Sequence, residues 1–185
     1  MNVWELRCAD INDYSMVVPA SAQDLMEGLF DANGHALDWK SPLVVLYSDS
    51  RSRGKKKRPV ADVATPGPGA LVLSERAFEV LGPFFSEFGQ LLKVQTAGGA
   101  EFRYFYNVTN LVRCVDLEKS EKDETGAIEF ESFYDINVPR KPAVFKDPET
   151  AAVRIYTNDA GKILIERLAA AAALTGIECG VPRRY

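Results

Sequence analysis

Leu91 to Thr96 and Glu101 to Tyr106 are separated by Gly98-Gly99, and no other feature constrains this chain so tightly. Glycines supply the positive φ angles that a hairpin turn needs. Phe102, Tyr104 and Tyr106 alternate with Arg103 and Phe105, as residues on opposite faces of a strand do. A chain that contains this hairpin must build an antiparallel sheet around it, and the flanking segments offer the strands. Leu43 to Tyr47 is a compact apolar run with two valines, and Ala70 to Leu73 is another. Val3 to Cys8, Val112 to Val115, Ile128 to Phe133, Val153 to Thr157 and Ile177 to Cys179 read as shorter or weaker strands.

Helical spacing occurs in three places. Ala22 to Phe30 carries Leu25, Met26 and Leu29 on one side. After Ser74, whose hydroxyl is suited to cap a helix, Ala77, Phe78, Leu81, Phe84 and Phe85 recur at helical intervals. Gly82-Pro83 is expected to break or kink that helix, since proline has no N–H and crowds the preceding turn, and Gly89 to end it. A third helix is expected from an Asn158 or Asp159 cap to about Ala173, with Gly176 at its C-cap. Strands and helices do not alternate as repeating βαβ units, so the fold class expected is α+β, with a mostly antiparallel sheet and a few packing helices. At 185 residues the chain fits one globular unit that buries roughly 70% of its unfolded surface.

Within that unit, three regions are expected. Residues 1–47 form a small N-terminal lobe or a sheet edge. Residues 48–69 form a flexible loop that ends in Thr65-Pro66-Gly67-Pro68-Gly69. Residues 70–185 form the main domain. The loop holds Arg51, Arg53, Lys55, Lys56, Lys57 and Arg58 with no acid among them. Formal net charge is -4, but without these six bases the remainder carries 26 acids against 16 bases, a net of -10. An acidic body argues against a dedicated nucleic-acid binder, and 46% apolar residues exclude a disordered chain.

Catalytic sets are hard to assemble from this sequence. His35 is its one histidine and sits beside a turn, with no second histidine or nearby cysteine to complete a metal set. There is no phosphate-binding Gly-x-x-x-x-Gly-Lys loop and no Gly-x-Ser-x-Gly elbow. Cys8, Cys114 and Cys179 are far apart and odd in number, which fits buried small hydrophobes in a reducing compartment. No catalytic, metal or cofactor residue is therefore assigned. A cytoplasmic location is expected, since Met1 to Asp10 lacks the pattern of a signal peptide and Leu168 to Ile177 is too short to span a membrane. The densest group of charge is Asp116, Glu118, Glu121, Asp123 and Glu124, interrupted by Lys119 and Lys122. These five acids are the candidate partner-binding surface, because a concentrated acidic field draws in a basic partner.

Several segments of the second half recur in a familiar order. They are Leu71-Val72-Leu73-Ser74-Glu75-Arg76-Ala77, Leu81-Gly82-Pro83-Phe84, Tyr106-Asn107-Val108-Thr109-Asn110, Cys114-Val115-Asp116-Leu117-Glu118-Lys119-Ser120, Phe145-Lys146, Ile155-Tyr156-Thr157 and Leu174-Thr175-Gly176-Ile177-Glu178. In that order they resemble immunity protein family eleven of bacterial polymorphic toxin systems, over roughly residues 70–179. The resemblance implies a non-enzymatic protein, encoded beside a toxin delivered by type VI or contact-dependent secretion. Such a protein binds the cognate toxin or effector domain in the cytoplasm, and a nuclease would supply the basic partner that the acidic surface calls for. It carries no catalytic motif and offers no account of the basic run. Two alternatives stand beside it: a carboxylate-based hydrolase, and a nucleic-acid-associated protein that uses the 51–58 loop. Pairing of two copies through a sheet edge is compatible with either fold or function.

Overall fold

The computed structural model describes residues 2–9, 13–39, 43–48, 58–99 and 101–182. In chain order the elements begin with β1 (Val3–Cys8), β2 (Met16–Pro19), α1 (Ala22–Met26), β3 (Leu43–Ser48), β4 (Val63–Ala64) and β5 (Leu71–Ser74). They continue with α2 (Glu75–Phe85), β6 (Gly89–Thr96), β7 (Phe102–Val108), β8 (Glu121–Lys122) and β9 (Ile128–Phe130). The last are β10 (Val144–Phe145), β11 (Tyr156–Asn158), α3 (Asp159–Ala171) and β12 (Ile177–Gly180). The fold is α+β with mostly antiparallel sheets, as the hairpin requires.

That hairpin is β6–β7. Gly98 and Gly99 turn it with φ of +101° and +72°, values that side chains with a Cβ resist. Pairing runs from Gly89↔Val108 to Gln95↔Phe102. Around it forms a six-stranded sheet in the order β2-β3-β6-β7-β5-β4, in which only β3 and β6 are parallel. The margins of this sheet meet: Val17 N donates to Thr65 O (3.3 Å), and Ser15 N to Pro59 O (3.0 Å). The sheet therefore curls toward closure around Val17, Phe30, Val45, Val72, Val94 and Phe105. Closing the margins also removes unpaired edge groups that would otherwise template aggregation.

A second sheet has the order β10-β11-β1-β12. Leu6, Leu73, Leu81, Phe85, Tyr106, Ile155 and Ile165 fill the space between the two sheets and the helices α2 and α3. The Phe85 ring stacks on Tyr106 at 4.5 Å, and the Tyr106 hydroxyl donates to Phe85 O. The row Tyr104, Phe105, Tyr106 is thus committed to packing: Phe105 lies inside the curled sheet, and Phe78 stacks on Tyr104 at 3.7 Å.

Caps fall where the side chains call for them. Ser74 Oγ accepts from Ala77 N at the start of α2, and Asn158 Oδ1 from Gly161 N at the start of α3. The helices differ from expectation in three details, and Val112 to Val115 makes only an isolated bridge, Val115 to Phe133, instead of a strand. α1 ends at Met26, with turns over the following residues. α2 runs through Gly82-Pro83 to Phe85: Pro83 lacks an N–H to donate, but the next turn still closes, with Ser86 N donating to Gly82 O (2.9 Å). α3 ends at Ala171 and the turn after it carries Ala173 at φ +48°, while Gly176 serves a later turn. Gly176 has φ +82°, and a Cβ there would run into the Val63 carbonyl oxygen. Gly176→Ala is therefore expected to lower stability by about 2 kcal/mol in a denaturant titration. An unchanged midpoint would show that this turn relaxes freely.

Residues 1–47 enter both sheets. β1 lies between β11 and β12, while β2 and β3 extend the large sheet. The segment expected as loop carries β4, with Ala61, Val63 and Ala64 buried. Arg51 to Lys57 of the basic run lie outside the described residues. Arg58 is described, and its carbonyl accepts from Ser15 Oγ.

Candidate functional site

Between β7 and β10 the chain leaves the sheets and forms an arm. Its base is a short ladder of two segments. Val115 bridges Phe133, Asp116 N donates to Ser132 O (2.8 Å), and Tyr134 N donates to Cys114 O (2.7 Å). Beyond the ladder, β8 and β9 pair as a separate two-stranded unit. Every residue from Glu121 to Ala127 is exposed. This places Glu118, Glu121, Asp123 and Glu124 together on the arm, facing solvent.

Asp116 does not join them. It is buried, and its Oδ1 accepts from the backbone N–H of Glu118 and Lys119, while Oδ2 pairs with Lys119 Nζ at 3.2 Å. Burial works against its charge, but bonds from Lys119, Tyr134 and those two backbone N–H groups outweigh it and hold its carboxyl below the usual range. Aspartate favours this arrangement because its short side chain reaches backbone N–H groups two and three residues on. Its role is to shape the turn. Asp123 does both jobs. Exposed itself, its Oδ1 accepts from Thr125 Oγ1 (2.7 Å), Thr125 N (2.8 Å) and Ala127 N (2.9 Å), which also keep its carboxyl below the usual range.

Apolar residues accompany the arm. Leu117 and Tyr134 are partly exposed and Ile136 is 89% exposed. The turn that presents Ile136 is fixed at its far side, where Asn137 N donates to Tyr134 O and Asn137 Nδ2 to Arg113 O (2.8 Å). The sequence pattern did not single out these three. Isolated apolar residues are common on surfaces, and their grouping appears only when the ladder sets segment 113–118 against segment 132–137.

Buried charge lies under the arm. Glu131 and Arg154 have side chains only 1% exposed, and Arg154 Nε donates to Glu131 Oε1 at 2.7 Å. The Tyr156 hydroxyl donates to the same oxygen at 3.1 Å. Arg154 Nη1 reaches Glu5 Oε1 at 3.1 Å, and Glu5 also pairs with Arg7, which pairs with Glu178. Two glutamates are thus buried close to one another, but both engage Arg154. A cavity of about 170 Å³ lies between α3 and β12, lined by Ile165, Ala169, Leu174 and Ile177 among others. The two acids that line it, Glu166 and Glu178, are held by Lys162 and Arg7.

A second buried cation is Lys146, fully enclosed. Its Nζ donates to the carbonyls of Ala151 (2.6 Å), Gly69 (2.7 Å) and Ala32, so one ammonium ties three remote segments. Burial pushes it down to about 7.

The remaining reactive residues are in quiet settings. Burial pushes the Cys114 and Cys179 thiols up to about 12, where they are inert as nucleophiles. His35 is exposed and its carbonyl accepts from Asn107 Nδ2. Among the described residues no group of three or more acids, histidines or cysteines is placed to hold a metal ion, and no helix is long and apolar enough to cross a membrane. No family model matches this chain, and no curated protein matches it.

Proposed function

We propose that the chain is a binding protein of the immunity type, which neutralises a cationic toxin domain through the acidic arm. The observation that carries this reading is the arm itself, where Glu118, Glu121, Asp123 and Glu124 are exposed on one short projection. A concentrated acidic surface raises the encounter rate with a cationic partner. A toxin that acts on nucleic acid fits best, since it must present positive charge to phosphates. Tyr134 and Ile136 supply the apolar contact that slows dissociation, because a few such anchors usually dominate an interface. The turn made by Asp123 and the base made by Asp116 hold the arm's shape before any partner arrives, which reduces the ordering cost of binding.

The test uses the polypeptide encoded beside this chain's gene. Co-purification of the two is expected, with loss of the neighbour's toxicity in cells that express this chain. Changing Glu118, Glu121 and Glu124 together to lysine, and leaving Asp123 to hold its turn, is expected to slow association by about tenfold or more at low salt. The difference should shrink near 1 M salt, where the Debye length is about 3 Å. Equal association rates with equal salt dependence would refute the acidic-arm reading. A neighbour that is neither toxic nor bound would refute the immunity reading.

A further inference from the structure

The arm is tied to the body by two buried carboxylates: Asp147 Oδ2 accepts from Cys114 N (2.7 Å) and Val115 N (2.8 Å) on one segment of its base, and Glu131 holds the other segment. Glu131 follows β9 directly and precedes Ser132, the residue that opens the ladder at the arm's base. Its partner Tyr156 belongs to a buried apolar cluster with Val3, Cys114, Ala143 and Phe145, against which Phe133 packs. An apolar side chain at this point could be buried at less cost, since a buried ion pair is often no more stable than well-packed hydrophobic residues. Glu131 even leaves its Oε2 buried with no hydrogen-bond partner among the described residues. An unsatisfied buried acceptor is unfavourable, so this carboxylate is poorly explained as a source of stability.

Direction distinguishes a carboxylate from an apolar side chain. Apolar contact tolerates sliding and rotation, whereas two donors that converge on one oxygen admit a single placement. Arg154 Nε and the Tyr156 hydroxyl both converge on Glu131 Oε1. Arg154 is in turn fixed by Glu5 from β1, and Tyr156 by Thr150 at 2.9 Å. The carboxylate is therefore seated on donors that the sheet itself positions. We propose that Glu131 is a positioning residue: through its hydrogen bonds to Arg154 and Tyr156 it fixes the root of the arm, so that the exposed carboxylates meet a cationic partner as a preformed surface. The link to a partner rests on the reading of the arm given above. The fixing of the arm does not, and it is measured on the free chain.

The experiment is amide hydrogen exchange on the full chain, comparing wild type with Glu131→Leu and Glu131→Gln. Asp116, Ser132 and Tyr134 donate the backbone N–H bonds of the arm's base and report on it, and the β6–β7 amides report on the body. Glu131→Leu is expected to speed exchange at the three base amides by about tenfold or more beyond any change in the β6–β7 amides. Glu131→Gln keeps an oxygen for both donors and is expected to stay within a few-fold of wild type. Base amides unchanged in Glu131→Leu would overturn the proposal. So would parallel acceleration in β6–β7, which would make Glu131 a residue of global stability. Glu131→Gln exchanging as fast as Glu131→Leu would overturn the hydrogen-bond account. Should Glu131→Leu fail to fold, Tyr156→Phe removes one of the two donors. It must then show the same selective acceleration on a smaller scale, or the proposal fails.

Discussion

Arg154→Met is expected to lower the unfolding free energy by about 3–5 kcal/mol, the usual loss when one partner of a buried ion pair is removed. Methionine fills similar space, so the effect is electrostatic more than steric. Glu5 and Glu131 would both lose the guanidinium that faces them, and both side chains are almost wholly enclosed. Glu5 retains Arg7, at 2.6 Å, so Glu131 is the more exposed to the loss of charge balance. Combining Arg154→Met with Glu131→Leu should therefore recover part of the loss, because the double variant no longer buries the uncompensated carboxylate. Urea titrations of the four proteins would give the coupling, expected between about 0.5 and 3 kcal/mol for groups in one network. Additive losses would mean that the two side chains do not depend on each other.

Lys146→Met should cost about 2–5 kcal/mol at pH 9, where carbonyls of Ala32, Gly69 and Ala151 lose their donor. The loss should be smaller at pH 6. The sign follows from burial, which lowers Lys146 from its ordinary 10.5 to about 7. Between these values the unfolded chain holds a proton that the folded chain has released, so wild-type stability rises with pH across the window. Below about 7 both states are protonated and the penalty for burying charge is fully present. Each pH unit inside the window contributes at most about 1.4 kcal/mol. Deprotonation leaves two donors for three carbonyls, but one such bond is worth only about 1 kcal/mol, less than the relief of buried charge. Methionine does not titrate, so the gap between wild type and variant should widen from pH 6 to pH 9. Parallel pH profiles would refute this account of Lys146.

Local chemistry was legible in the sequence. Gly98-Gly99, the Ser74 cap and the Asn158 cap each act on residues within a few positions, and all three appear as read. Pro83 does not end α2, because packing of Leu81, Phe84 and Phe85 into the core outweighs the one bond that proline omits. β4 was missed because Val63-Ala64 is too short for periodicity and gains its strand character from β5. At the candidate site, the acids on the exposed hairpin could be found by counting charge. The inward turn of Asp116 follows from backbone geometry that charge counting ignores. Glu131, Arg154 and Lys146 were overlooked for a different reason. Their partners include residues 23, 149 and 114 positions away, which no local pattern connects. A charged residue set directly among apolar neighbours, as in Val153-Arg154-Ile155 and Phe145-Lys146, was the available signal.

The placement of β1 has a consequence for how the chain is made. Its neighbours in the sheet are β11 and β12, so Arg7 meets Glu178 across 171 positions of sequence. During synthesis the first strand emerges long before either neighbour exists. The curled sheet lacks that delay, since β2 to β7 are complete by Val108 and can fold around their own core. Closing so long a loop is entropically unfavourable, and topologies rich in such contacts fold slowly. A ribosome-bound intermediate would thus carry a finished barrel-like half and a β1 whose backbone and Glu5–Arg7 charges have no partner strand. Until the C-terminal strands arrive, that strand is the segment that most needs shelter from other chains.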